Sequence, residues 1–171
     1  MTVNKVCGSS LKAVMLAATA IRAGEHRCIV AGGMESMTNA PQLLMGQRHG
    51  AKMGDSTLVD SMIHDGLWDV YNDMHMGNTG EVVSEEFSIT REGMDAFAAQ
   101  SQQRAAMAQE EGWFAWETVP VQVPQRRGGP VTVLADEGVR ADTTAEGLAR
   151  LRPVFDREGK VTAGNASTLN D

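Results

Sequence analysis

The stretch from Met1 to Glu25, MTVNKVCGSSLKAVMLAATAIRAGE, sets a cysteine, Cys7, before three small residues and an apolar run. Leu11, Val14, Met15, Ala18 and Ile21 recur at the three- and four-residue spacing of an amphipathic helix. Ala13, Ala17 and Ala20 make the other faces small and apolar, so the composition predicts a helix buried nearly all round. Gly24 is the expected stop. Residues 28–33, CIVAGG, are short, partly β-branched and closed by two glycines, which predicts an interior strand. Turn, helix and strand are the expected opening, with Cys7 at the helix tip.

A thiol attacks as its thiolate, and the unpaired N–H groups and aligned dipoles of a helix N-terminus favour that negative charge. Gly8, Ser9 and Ser10 are small enough to admit an acyl substrate, and the N–H groups of the turn are candidate donors to a developing oxyanion. Position and type alone leave a second reading open, since cysteine is also a common small core hydrophobe. Cys28, inside the strand pattern, reads as that hydrophobe.

Composition narrows the classes. With 15 basic and 22 acidic residues the net charge is −7, which opposes non-specific binding to nucleic acid or anionic membranes. Any anionic ligand therefore needs a local basic patch. Hydrophobic residues make up 42% but aromatics only 5%, so a core would be built from Ala, Val, Leu, Ile and the 11 Met. Two cysteines without metal-ligand spacing or a disulfide framework fit a reducing compartment, and the expectation is a cytoplasmic protein. No apolar run approaches the roughly 20 residues a membrane helix needs.

Further along, Pro41, Gly46, Gly50 and Gly54 punctuate a polar excursion. Asp55 is a candidate cap for a short helix carrying Leu58, Val59, Met62 and Ile63. A helix is expected over Gly80 to Phe87, and a longer one over Arg91 to Glu111. In the longer helix Thr90 caps, Glu92 favours the positive end, and Met94, Phe97, Ala98, Ala105 and Ala108 form the buried stripe. Val119, Val121 and Val123 alternate on one face of a run that Pro120 and Pro124 make an edge strand, which turns through Gly128-Gly129-Pro130 into a second strand. The end, KVTAGNASTLND, begins like a strand. No internal repeat is visible.

Five ordered segments, VNKVCGSSLKAV, VAGGMESMTNAP, IHDGLWDVYNDMHMG, LRPVFD and VTAGNASTLND, together resemble the thiolase family, in particular its acetyl-CoA-condensing members, from Asn4 to Asp171. The resemblance implies an α/β, layered αβαβα fold. Residues 1–40 would be part of the N-terminal core, 41–158 the inserted loop domain for coenzyme A binding and oligomerisation, and 159–171 a return to the core. It also implies that Cys7 is acylated by an acyl-CoA and then condenses with acetyl-CoA, or runs in reverse as thiolysis, which splits a hard C–C step into two acyl transfers.

The general-base histidine of a "GHP" motif and the second cysteine of a "CxGGG" motif, which the family carries later in its chain, do not occur here. The resemblance therefore implies a fragment, whose Cys7 helix would expose apolar faces and which would associate or dissolve poorly. The loop portion from Pro41 to Glu158 is the part expected to fold by itself.

Carried over by position, Leu67 and Met76 line the pantetheine groove and His75 makes a polar contact to that arm. Ala163 and Ser167 meet the arm nearer the thioester. Phe155 is the adenine-side contact, and Arg126, with Arg127, pairs with phosphate. Taken alone, QRRGG reads as a solvated hairpin turn. Tyr71 with Ala163 and Gly164 matches a potassium-holding variant, and no other cofactor is implied. Pro41 to Gly54, with Leu43, Leu44 and Met45, resembles the region that joins dimers into tetramers, so a homodimer or homotetramer is expected of the full-length protein; a solvated loop is the alternative.

Ser10, Gly80 and Thr168 depart from commoner family residues and blur the substrate subclass. His26, His49 and His64 have no motif support, and Lys12 reads as structural. Asn165-Ala166-Ser167 fits a glycosylation pattern, which the absence of a secretion signal argues against. The competing functions are a non-catalytic coenzyme A-binding module, a broader-chain 3-ketoacyl-CoA thiolase and a ketoacyl carrier-protein synthase.

Overall fold

The computed structural model describes Met1–Asn170. Asp171, the last residue of the expected 159–171 segment, lies outside the described residues. The chain divides into two compact units, one running from Met1 to Met76 with Leu169 and Asn170, the other from Gly77 to Thr168.

In the first unit, α1 spans Ser9–Arg22, and Gly24 follows it with φ +79°. That left-handed geometry is available to glycine at little cost, and it is why the helix stops where the sequence predicts. Contrary to the expectation from composition, no residue of α1 is buried. Leu11 is 66% exposed and Met15 54%, because no described element of the unit covers them. Residues 28–33 form no strand. A strand persists only where a neighbour pairs its N–H and C=O groups, and no described strand runs beside this segment.

The polar excursion folds into a ribbon: β1, Gln42–Leu44, pairs antiparallel with β2, Leu58–Asp60, with Leu43 opposite Val59. This replaces the helix expected after Asp55, since Leu58 and Val59 find a β partner. Only Met62–Gly66 turns helically, as one wide π-type turn. A second ribbon follows, β3 (Trp68–Asp69) against β4 (Met74–His75).

In the second unit, α2 runs over Met76–Glu86, four residues earlier than the sequence predicts, and α3 over Arg91–Glu110. Thr90 caps α3 by accepting the Gly93 N–H at 3.1 Å. The buried stripe of α3 is Asp95, Ala99 and Ala108; of the expected stripe only Ala108 is fully buried, and Phe97 is 73% exposed. The stripe is set by its partners, α4 (Ala145–Leu148) along the helix and the Arg91 and Asn165 side chains on Asp95, rather than by hydrophobicity. Between α3 and α4 lies the expected hairpin, β5 (Val121–Val123) with β6 (Val131–Val133), all of it exposed. Val119 stays outside it. KVT makes only a single bridge, Pro153 to Thr162. The buried apolar side chains among the described residues, Ala99, Ala108, Leu148 and Val161, all belong to this unit.

Candidate functional site

Cys7 lies two residues ahead of α1 and is exposed. The turn carrying it is strained and heavily pinned. Val6 has φ +50°, an unfavourable region for a β-branched residue. Its N–H donates to Asn4 Oδ1 at 2.9 Å, and its carbonyl accepts the Ser9 hydroxyl at 2.7 Å and the Ser9 N–H at 3.2 Å. Ser9 Oγ in turn accepts the Lys5 N–H at 2.9 Å. Asn4 and Ser9 thus brace the bend that presents the thiol.

The same bonds narrow the oxyanion expectation. The Gly8 N–H is spent on Lys5 O at 2.9 Å and that of Ser9 on Val6 O, so neither can be an oxyanion donor in this conformation. Among the described residues no side chain hydrogen-bonds the Cys7 thiol. Gly33 approaches the first turn of α1 so closely that a Cβ there would stand 2.6 Å from Ser10 Oγ. Cys28 is exposed rather than packed, and lines a groove of about 520 Å³ beside Ala13, Leu16, Ala17 and Ala20 of α1.

The second ribbon gathers three of the predicted groove residues. His75 pairs with Trp68 across the ribbon, and the Met76 N–H donates to Leu67 O at 2.8 Å, which closes its base. Leu67 and His75 are half-buried and Met76 is exposed. Asp69 holds the tip by accepting the Tyr71 N–H at 2.9 Å, the Asn72 N–H at 3.3 Å and the Asn72 side-chain amide at 2.7 Å. These bonds, the Asn72 side chain first and the Tyr71 amide next, lower the Asp69 pKa from its ordinary 3.8. Tyr71 is 93% exposed.

In the second unit the Phe155 ring lies on the backbone of Gly77, and a Cβ at that position would fall onto ring atoms. The Asn78 amide reaches Phe155 O at 3.5 Å. Ala163 and Ser167 are exposed on a loop whose buried residues are Val161 and Thr162. Arg126 is exposed in the turn between β5 and β6, away from that loop in sequence. Asn165, the residue of the glycosylation pattern, spends its amide on Asp95 and Lys160 O.

Residues 1–171 match the family described as Thiolase, N-terminal domain. The chain belongs to the thiolase family. It is 57% identical over all 171 residues to the acetyl-CoA acetyltransferases of Cupriavidus necator and Pseudomonas aeruginosa, and covers 44% of each. It is 55% identical over 170 residues to a probable acetyl-CoA acyltransferase of Staphylococcus epidermidis, covering 43% of it. The crystal structure of the Bacillus anthracis acetyl-CoA acetyltransferase superimposes with a TM-score of 0.93 at 40% identity, over 99% of this chain and 43% of that one. The fold is therefore the N-terminal part of the thiolase α/β fold, and the chain spans under half the length of the thiolases it matches.

Sequence reasoning missed Glu81 and Asp95, and the bracing that Asn4 and Ser9 give the turn. Asn4 is a turn-former two residues before the strained Val6, and a side chain that bonds its own backbone two residues on is a legible signal.

Proposed function

We propose that Cys7 is the nucleophile of an acyl transfer between coenzyme A thioesters. The Cys7 thiolate attacks the thioester carbonyl, the bond from that carbon to the coenzyme A sulfur breaks, and coenzyme A leaves as a thiolate that takes up a proton. A second acetyl-CoA then gives up a C2 proton to a general base, its carbanion attacks the carbonyl of the enzyme-bound acetyl group, and the bond from that carbon to Cys7 Sγ breaks, giving acetoacetyl-CoA and a Cys7 thiolate; thiolysis is the reverse. The observation that carries this reading is an exposed thiol on a strained, doubly braced turn at the start of a helix, in a chain of the thiolase N-terminal family.

On this reading Leu67, His75 and Met76 form one wall for the pantetheine arm, and Ala163 and Ser167 meet it nearer the thioester. Phe155 receives the adenine and Arg126 a phosphate. Residues 1–40 and 159–171 would serve as core and 41–158 as loop domain, in a homo-oligomer working in the cytoplasm. Potassium has no assigned step: Tyr71 is exposed, and the Ala163 and Gly164 carbonyls that would share the ion belong to the other unit. Equal activity in sodium and potassium buffers would remove that ion from the proposal.

The experiment incubates the chain and its Cys7→Ala variant with acetyl-CoA and follows free coenzyme A by chromatography. Stoichiometric release by the parent and none by the variant is expected. Equal release from both overturns the assignment. One observation favours the non-catalytic binding module as the second reading, namely that no described side chain reaches the Cys7 thiol to deprotonate it. Coenzyme A binding without release would select that reading, and preference for acyl-CoAs longer than acetyl would select the broader-chain thiolase.

A further inference from the structure

Residues 160–167 are fastened on one side and bare on the other. From α2, the Glu81 carboxylate accepts the Lys160 N–H at 2.8 and 3.0 Å and the Val161 N–H at 2.7 Å. From α3, Asp95, 2% exposed, accepts the Asn165 amide at 2.9 Å and Arg91 Nε at 2.7 Å. The same Asn165 nitrogen donates to Lys160 O at 3.0 Å, while its Oδ1 accepts the Thr162 N–H at 2.7 Å.

Thr162 is wholly buried, and its hydroxyl accepts the Gly164 N–H at 3.2 Å. Asn165 therefore donates twice and accepts once, a combination no carboxylate supplies. An aspartate there would also set its charge against Asp95. The bonds hold buried Thr162 and half-buried Asn165, while Ala163 and Ser167 remain exposed. The bonds thus fix the loop from Lys160 to Ala166 and leave Ala163, and Ser167 next to the fixed stretch, exposed.

We propose that Asn165, held by Asp95, is a positioning residue that fixes the backbone at Ala163 and Ser167 for the pantetheine arm of coenzyme A. The inference rests on the acyl-CoA reading above. A narrow, flexible arm gains affinity from a surface whose ordering cost is met before binding, and each group that must be ordered at the moment of binding subtracts from it. Releasing the loop transfers that cost to the binding step.

The test titrates coenzyme A calorimetrically into the 171-residue chain and into Asn165→Ala and Asp95→Asn, with hydrogen exchange of the 160–167 peptide read in parallel. Asn165→Ala should raise the Kd for coenzyme A about tenfold and speed exchange across 160–167, with the amides of α3 unchanged. Asp95→Asn, whose single amide oxygen can accept from Arg91 or from Asn165 but no longer from both through a charged carboxylate, should raise it about two- to threefold. A graded loss that follows the Asn165 bond is what a general loss of structure would not give.

If Asn165→Ala binds coenzyme A like the parent, or if exchange at 160–167 does not change, the positioning role is overturned while the acyl-CoA reading stands. If the parent itself does not bind coenzyme A, the acyl-CoA reading falls and takes this inference with it. Should Asn165→Ala lose its helical circular dichroism, Asp95→Asn decides: parent-like exchange and affinity overturn the proposal, and faster exchange with the small affinity loss supports it.

Discussion

Two glycines one turn apart on α2 should respond oppositely to the same substitution. Replacing a helical glycine by alanine is worth about 1 kcal/mol in helix propensity. At Gly80 the new Cβ would lie 3.1 Å from Val161 Cγ2, a single methyl that must yield a few tenths of an ångström. That strain cancels only part of the gain, so Gly80→Ala should stabilise by about 0.5 kcal/mol. At Gly77 the Cβ would fall onto three atoms of the Phe155 ring, a flat and rigid group without a flexible end to turn aside. Overpacking of that kind costs about 3 kcal/mol, which outweighs propensity and leaves Gly77→Ala destabilised by about 2 kcal/mol.

Urea unfolding followed by circular dichroism measures both. A cycle with Phe155→Ala isolates the clash: once the ring is gone, Gly77→Ala should stabilise by about 1 kcal/mol, as propensity alone dictates. A Gly77→Ala chain at least as stable as the parent would refute the reasoning and remove Phe155 from its seat on α2.

Asp95→Ala leaves the Arg91 guanidinium and the Asn165 amide without their buried carboxylate, and should cost about 3 kcal/mol in the same assay; a loss under about 1 kcal/mol would show the network to be slack. Val6→Gly relieves the φ of +50° and should stabilise by about 0.5–1 kcal/mol after the extra chain entropy of glycine, while slowing alkylation of Cys7 by iodoacetamide as the brace relaxes; unchanged alkylation would mean that the strain does not serve the thiol.

Asn72→Ala removes the first cause of the lowered Asp69 pKa, so an NMR titration should find that carboxyl closer to 3.8. Because the folded pKa lies below the unfolded one, the contribution of Asp69 to stability is present above the unfolded value and is lost as pH falls through the folded one. An unshifted titration in the variant would contradict the assigned cause.

Local rules carried much of the fold. Gly24 ends α1 and Thr90 caps α3 as expected, and the Gly128-Gly129 turn joins β5 to β6 with Val121 opposite Val133. What failed was non-local. Residues 28–33 have strand composition without a described neighbour to pair with, and Leu58 and Val59 fit a helix until Gln42–Leu44 offers them a ladder. By type Phe97 belongs to the core of α3, whereas the charged Asp95 takes the buried place because Arg91 and Asn165 satisfy it.

The candidate site divides in the same way. Cys7 is legible from its small neighbours and the helix behind it. Its bracing by Asn4 and Ser9, and the anchoring of Ala163 and Ser167 through Asn165, depend on hydrogen bonds that spacing does not reveal.

The most direct test of the central claim maps where an acyl group goes. After incubation with acetyl-CoA and digestion, mass spectrometry should find acetyl on the peptide carrying Cys7 and none on the one carrying Cys28, although both thiols are exposed. Acetylation shared equally between the two cysteines, or absent from Cys7, would contradict the account.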